Sequence, residues 1–160
     1  WRLSSALVQA DGPFSLFPGY DRTLVVIDGA GMILDADGKR TTLARFGDPF
    51  VFPGETSVTS ALSEGPIRDF NVMALRGKVR SRTHLFRLSE GTGGEAFVTA
   101  TAGETTIVVC LDGSCAVAGA EHREALLHGL DALFVTGVTE DVRLSLGGDG
   151  VAVVVHIAVL

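Results

Sequence analysis

One pattern of apolar runs and turns occurs twice along this chain, about half its length apart. Val25-Val-Ile-Asp-Gly29 falls near Val108-Val-Cys-Leu-Asp-Gly113. Phe46-Gly-Asp-Pro-Phe-Val-Phe-Pro-Gly54 meets Gly129-Leu-Asp-Ala-Leu-Phe-Val-Thr-Gly137. Val58 and Leu62 fall on Val142 and Leu146, and Asp69 to Leu75 overlies Val151 to Ile157. Self-similarity on this scale means two copies of one supersecondary unit, so whatever one half folds into, the other should too.

The runs themselves read as strands. Leu24 to Ile27, Phe50 to Phe52, Asp69 to Leu75, Ala96 to Thr99, Thr106 to Val109, Leu133 to Val135, Val142 to Leu146 and Val151 onward are β-branched, aromatic or alternating. Turn signals separate them at Asp11-Gly12-Pro13, Asp28-Gly29, Asp37-Gly38, Asp112-Gly113 and Gly147 to Gly150. Short strands so punctuated predict a sandwich or barrel. Glu121 to Leu133 has near-helical spacing, but Leu43 overlies Leu127, and the repeat assigns it to strand. With 46% hydrophobic residues the chain can bury a core. The expected fold is all-β: two antiparallel barrels formed by internal duplication and packed together, residues 1–85 carrying the ligand pocket and 86–160 forming a diverged second half, with exchange of strands between halves left open.

Several function classes fall away. A net charge of −6 repels phosphate backbones, so nucleic acid is not an expected partner. No apolar run reaches the roughly 18 residues of a membrane helix, and the longest, Val151 to Leu160, is broken by His156. No membrane partner is expected, and the cytoplasm is the expected location. Cys110 and Cys115 lack CxxC spacing and are expected as reduced thiols. His84, His122, His128 and His156 show no metal-ligand spacing, so neither metal nor other cofactor is expected. There is no Gly-x-Ser-x-Gly elbow, and Gly29-Ala-Gly31, Gly91-Thr-Gly-Gly94 and Asp35-Ala-Asp-Gly38 read as turns instead of phosphate or calcium loops.

The strand order, with Gly47-Asp-Pro-Phe-Val-Phe-Pro-Gly54 around one apolar strand, resembles the cupin (RmlC-like) jelly roll, without the histidines that cupins use for metal. Four more specific stretches resemble the HutD/Ves family: Trp1 to Val8, Asp11-Gly-Pro-Phe-Ser-Leu-Phe-Pro-Gly-Tyr-Asp-Arg22, the Asp28-Gly-x-Gly turn, and Gly65-Pro-Ile-Arg-Asp-Phe-Asn-Val-Met73. That resemblance implies a small bacterial bicupin with no established catalysis. It further implies a link to histidine utilisation, through binding of a pathway intermediate such as urocanate or formylglutamate, or to a stress response. Family members begin with a further Trp/Asn/Gly-rich segment ahead of the residue that is Trp1 here, and any ligand contact it makes is not placed by these residues.

Within the first half, strand alternation sends Asp69, Asn71 and Met73 to one face and Phe70, Val72 and Ala74 to the other. An Asp and an Asn facing a half-apolar bore supply acceptors and donors for a small polar metabolite, and Met73 supplies adaptable apolar contact. The connector Phe14 to Arg22 adds Ser15, Phe17 and Arg22, whose guanidinium can hold a carboxylate by two parallel hydrogen bonds. Arg22 and Asp69 can equally form a structural ion pair. The expected function is therefore non-enzymatic binding of a small carboxylate metabolite by Arg22, Asp69, Asn71, Met73, Ser15 and Phe17, with no catalytic residue. Two alternatives stay open: a metal-independent isomerase- or lyase-type enzyme using Asp69 as base, and a protein-interaction scaffold with closed barrels. A homodimer is compatible with either.

Overall fold

The computed structural model describes residues 1–89, 96–119 and 124–160. Among these all regular structure is strand, and no helix is long and apolar enough to cross a membrane. The chain divides into two compact units, Trp1–Arg80 and Ser81–Leu160.

The first unit holds β1 (Arg2–Val8), β2 (Gly12–Pro13), β3 (Tyr20–Asp28), β4 (Met32–Ala36), β5 (Lys39–Leu43), β6 (Phe50–Pro53), β7 (Val58–Leu62) and β8 (Ile67–Leu75). They form two antiparallel sheets in the orders β1-β8-β3-β6 and β2-β7-β4-β5. Both sheets contribute to one apolar cluster: Leu24 and Val26 from β3, Met32 and Leu34 from β4, Phe52 from β6, Val58 from β7 and Ile67 from β8. Burying each such side chain stabilises the fold by roughly 1.5–3 kcal/mol. Strands β3 and β8 are buried on both faces along most of their length, and in β3 the stretch Leu24 to Ile27 accordingly reads as a continuous apolar run.

The second unit holds β9 (Val79–Leu88), which begins at the junction, β10 (Ala96–Ala100), β11 (Thr105–Ala118), β12 (Glu124–His128), β13 (Ala132–Val135) and β14 (Val142–Val159). The sequence reading cuts β9 at 85/86. The division instead falls after Arg80, because β9 pairs with β14. The described part of the helix-like stretch before Leu133 is strand β12 and a turn; Glu121 and His122 lie outside the described residues, as does Gly91 to Gly94.

Two expected turns prove to be something else. Asp112-Gly113 lies inside β11 and Gly147 to Gly150 inside β14, and these segments pair with each other, Gly113 opposite Gly150 and Cys115 opposite Gly148. A Cβ at Gly150 would sit 2.3 Å from the Asp112 carbonyl oxygen, and one at Gly113 would sit 2.2 Å from that of Asp149. The glycines mark a close backbone approach beside the register shift in β11, which composition alone does not separate from a turn.

The two units share a register, in which Asp69 matches Ala152 and Met73 matches His156, one residue on from the sequence overlay. In the first, β3 and β8 place Arg22 opposite Met73, Leu24 opposite Asn71 and Val26 opposite Asp69, then shift by a bulge before Asp28. In the second, β11 and β14 place Thr106 opposite His156, Val108 opposite Val154 and Cys110 opposite Ala152, then shift before Asp112.

Candidate functional site

Strand pairing assembles the site row by row. Across β1, β8 and β3, Arg2, Met73 and Arg22 form one row, Ser4, Asn71 and Leu24 the next, and Ala6, Asp69 and Val26 the third. Directly opposed residues share a face of an antiparallel sheet. Ser4 and Ala6 are small, which leaves room beside Asn71 and Asp69. A cavity of about 420 Å³ occupies that room, lined among others by Asp69, Asn71, Met73, Arg22, Ser15 and Phe17. The structure thus brings together every residue that sequence reasoning selected.

Arg22 is 4% exposed. Its Nη1 donates to the Ser15 carbonyl oxygen at 3.1 Å, so Ser15 contributes its backbone here. The guanidinium carbon lies 5.5, 5.1 and 4.9 Å from the ring centres of Phe14, Phe17 and Phe52. These cation–π contacts offset part of the cost of burying the charge. Burial pulls the Arg22 pKa down from its ordinary value while the nearby Asp69 charge pulls it up. Arg22 Nε is buried with no hydrogen-bond partner.

Asp69 is 3% exposed. Burial raises its pKa to about 6, against the opposing pull of the Ala6 amide, which donates to Oδ1 at 3.2 Å, and of the Arg22 and Arg68 charges. Among the described residues no direct ion pair joins Asp69 to Arg22. Asn71 Oδ1 is likewise buried without a partner. Buried orphan donors and acceptors are rare in folded proteins, and here two of them belong to side chains that line one cavity.

The connector that carries Ser15 and Phe17 is pinned from both sides. Phe17 N donates to the Gly54 carbonyl oxygen at 2.8 Å, and Gly54 N donates to that of Tyr20 at 2.6 Å. A Cβ at Gly54 would meet the Phe17 carbonyl oxygen at 2.3 Å, so only glycine fits. Arg76, just past β8, bonds Asp21 at 2.9 Å, Glu55 at 2.7 Å and the Tyr20 carbonyl oxygen at 3.3 Å, tying the same turn to the sheet. Sequence reasoning missed Phe14 and Phe52 as the frame of Arg22, and Ser4 and Ala6 as the free side of the cavity. The alternation of Arg2, Ser4, Ala6 and Val8 against Leu3, Ser5 and Leu7 was the available signal.

In the second unit the ring centres of His84 and His156 lie 6.2 Å apart, a pairing that spacing did not show. Among the described residues no group of three or more His, Cys, Asp or Glu side chains could hold a metal ion. Cys110 and Cys115 are free and buried, their sulfurs 3.0 Å apart.

A family model described as HutD matches residues 1–154. The chain belongs to the HutD family. This HutD-family chain is 41% identical over 86 residues to an uncharacterised 21.2 kDa protein in the hutC 3′ region of Pseudomonas putida, over 54% of this chain and 45% of that protein. It is 35% identical over 103 residues to Protein Ves of Citrobacter koseri, over 61% of this chain and 54% of Ves. The matched segment thus spans about half the length of these curated relatives. The solved structure of HutD from Pseudomonas fluorescens is matched at a TM-score of 0.83 and 30% identity, over 100% of this chain and 79% of that one. A conserved protein of unknown function from Pseudomonas aeruginosa is matched at 0.89 and 29%, over 100% and 83%. More distant likenesses, among them the Escherichia coli protein Ylba at 0.67 and 12%, show the cupin fold alone.

Proposed function

We propose that this HutD-family chain is a non-enzymatic binding protein whose first-unit cavity holds a small carboxylate metabolite. Histidine breakdown supplies fitting candidates, urocanate and formylglutamate, each pairing a carboxylate with an N–H donor, and the names of the P. putida and P. fluorescens relatives favour that pathway. The observation that carries the reading is a cavity lined by a buried arginine and a buried carboxylate that are not paired to each other, with an unpartnered polar atom on each of the lining side chains Arg22 and Asn71. The ligand carboxylate meets the edge of Arg22 that Ser15 leaves unused. Ionised Asp69 accepts the ligand N–H, and Asn71 orients the remainder.

A ligand that binds only the folded state raises the unfolding midpoint, by an amount equivalent to about 2.7 kcal/mol at a hundred times its Kd. Thermal melts with urocanate and with formylglutamate should show such a rise, reduced in Arg22→Ala. No rise with either compound would reject the reading. The raised pKa of Asp69 also fits a base in a proton-transfer enzyme. Deuterium wash-in from solvent at a carbon of a bound candidate, lost in Asp69→Asn, would favour that alternative. A scaffold with closed barrels is disfavoured by the open cavity.

A further inference from the structure

The shared register gives the second unit an equivalent of the Arg22–Met73 row, and different side chains occupy it. Thr106 stands where Arg22 stands, and His156 where Met73 stands. A cavity of about 370 Å³ opens there, lined by His156 of β14, by Arg82, His84 and Phe86 of β9, and by Phe97 and Thr99 of β10.

His156 is 8% exposed, and its Nδ1 is 3.1 Å from the Thr106 hydroxyl. Nε2 has no further partner among the described residues, yet it is not sealed off, since the ring lines the cavity. Engagement of one ring nitrogen sets the role of the other, and a Thr106 hydroxyl that donates to Nδ1 leaves Nε2–H as a donor aimed at the cavity. His84 stands edge-on to this ring. Arg82 is held by Glu104 at 2.6 Å, so its charge is already answered. Phe86 and Phe97 give apolar walls, and Arg143 covers the Phe97 ring at 3.7 Å. The set offers two imidazoles and an aromatic wall with little negative charge among them.

We infer that the second unit carries its own small-molecule site, in which His156 and His84 hold the carboxylate of a small organic acid whose apolar or aromatic body lies against Phe86 and Phe97. The site is separate from the first cavity and does not depend on what occupies that one. Protonation follows from the same geometry. Burial, with Arg82 and His84 of β9, disfavours the His156 cation, whereas Glu104, just ahead of β11, favours it, and Thr106 is neutral. A bound carboxylate stabilises the cation, so binding takes up a proton and weakens as pH rises.

Benzoate is a suitable probe, read on the full chain by the Cε1–H signals of the histidines. The expected result is a saturable shift of the His84 and His156 signals, with affinity lower on the order of tenfold at about pH 8 than at about pH 5.5. The shift should persist in Arg22→Ala and weaken about tenfold in His84→Gln, an exposed position whose replacement leaves the core untouched. Absence of a shift, insensitivity to pH, or loss in Arg22→Ala with His84→Gln unaffected would each overturn the inference. Failure of the first cavity to bind urocanate would leave it standing.

Discussion

Asp69 sits in a place that disfavours its own charge, and this makes it the most informative single position in the chain. Its folded pKa of about 6 lies above the unfolded value of 3.8. Below the unfolded value the group is neutral in both states and has no effect. As pH rises towards 6 the unfolded chain loses the proton first, and stability is lost. Above pH 6 the penalty is complete, on the order of 2–3 kcal/mol. Asp69→Asn should therefore raise the stability of the unliganded protein by about that amount at about pH 8 and leave it unchanged at about pH 3, as read by urea unfolding at the two values. The same substitution should weaken urocanate binding about tenfold or more, because the amide presents no negative acceptor to the ligand N–H. Gain of stability together with loss of binding separates a ligand contact from a structural residue. Binding by the wild type should weaken as pH falls below 6, where protonation removes the acceptor, and calorimetric titration at several pH values checks this sign. Arg22→Lys keeps the charge but loses the planar fork, and should bind at least about tenfold more weakly.

The connector sets the precision of the site. Gly54→Ala forces the Pro53-Gly54 turn away from Phe17 and Tyr20. The expected cost is about 2 kcal/mol, with weaker ligand binding because Phe17 no longer holds the guanidinium in place, and chemical denaturation of the variant tests it. Both thiols of β11 are buried, and burial, with Cys110 beside it, pushes the Cys115 thiol up to about 12. A disulfide reagent at about pH 8 should accordingly leave Cys115 unreacted in the folded protein and modify it once the chain is denatured. At this scale legibility was uneven. Alternation in Asp69 to Leu75 was enough to place three site residues on one face, because a strand has only two faces. The close approach of Asp112-Gly113 to Gly147 to Gly150 was not legible, because a glycine required by a neighbouring backbone looks the same in sequence as one required by a turn.

For the molecule as a whole, Asp69 and His156 pull the acid limb of the stability curve in opposite directions. The folded pKa of His156 is lowered, chiefly by burial, so the unfolded chain takes up protons first and stability falls as pH drops below the ordinary histidine value of 6.5. Asp69 returns stability as pH falls through 6 towards 3.8. Between about pH 7 and 5 the wild type should therefore lose less stability than Asp69→Asn, which lacks the compensating term, a contrast visible in melting temperatures. The all-β class and the strand runs were legible from period and punctuation, because repetition removed the helix alternative at Leu127. The pairing of His84 with His156 was not, since 72 residues separate them and only the ladder brings them together.

The matching registers also bear on how the chain reaches its native pairing. Judged by backbone alone, β3 would fit β14 as well as β8, and β11 would fit β8 as well as β14, with the bulge in the proper place each time. In a swapped ladder Arg22 would face His156 and Asp69 would face Cys110, and Asp69 would lose the favourable charge of Arg22. The buried charges of the first cavity would thereby penalise the wrong partner while the chain collapses.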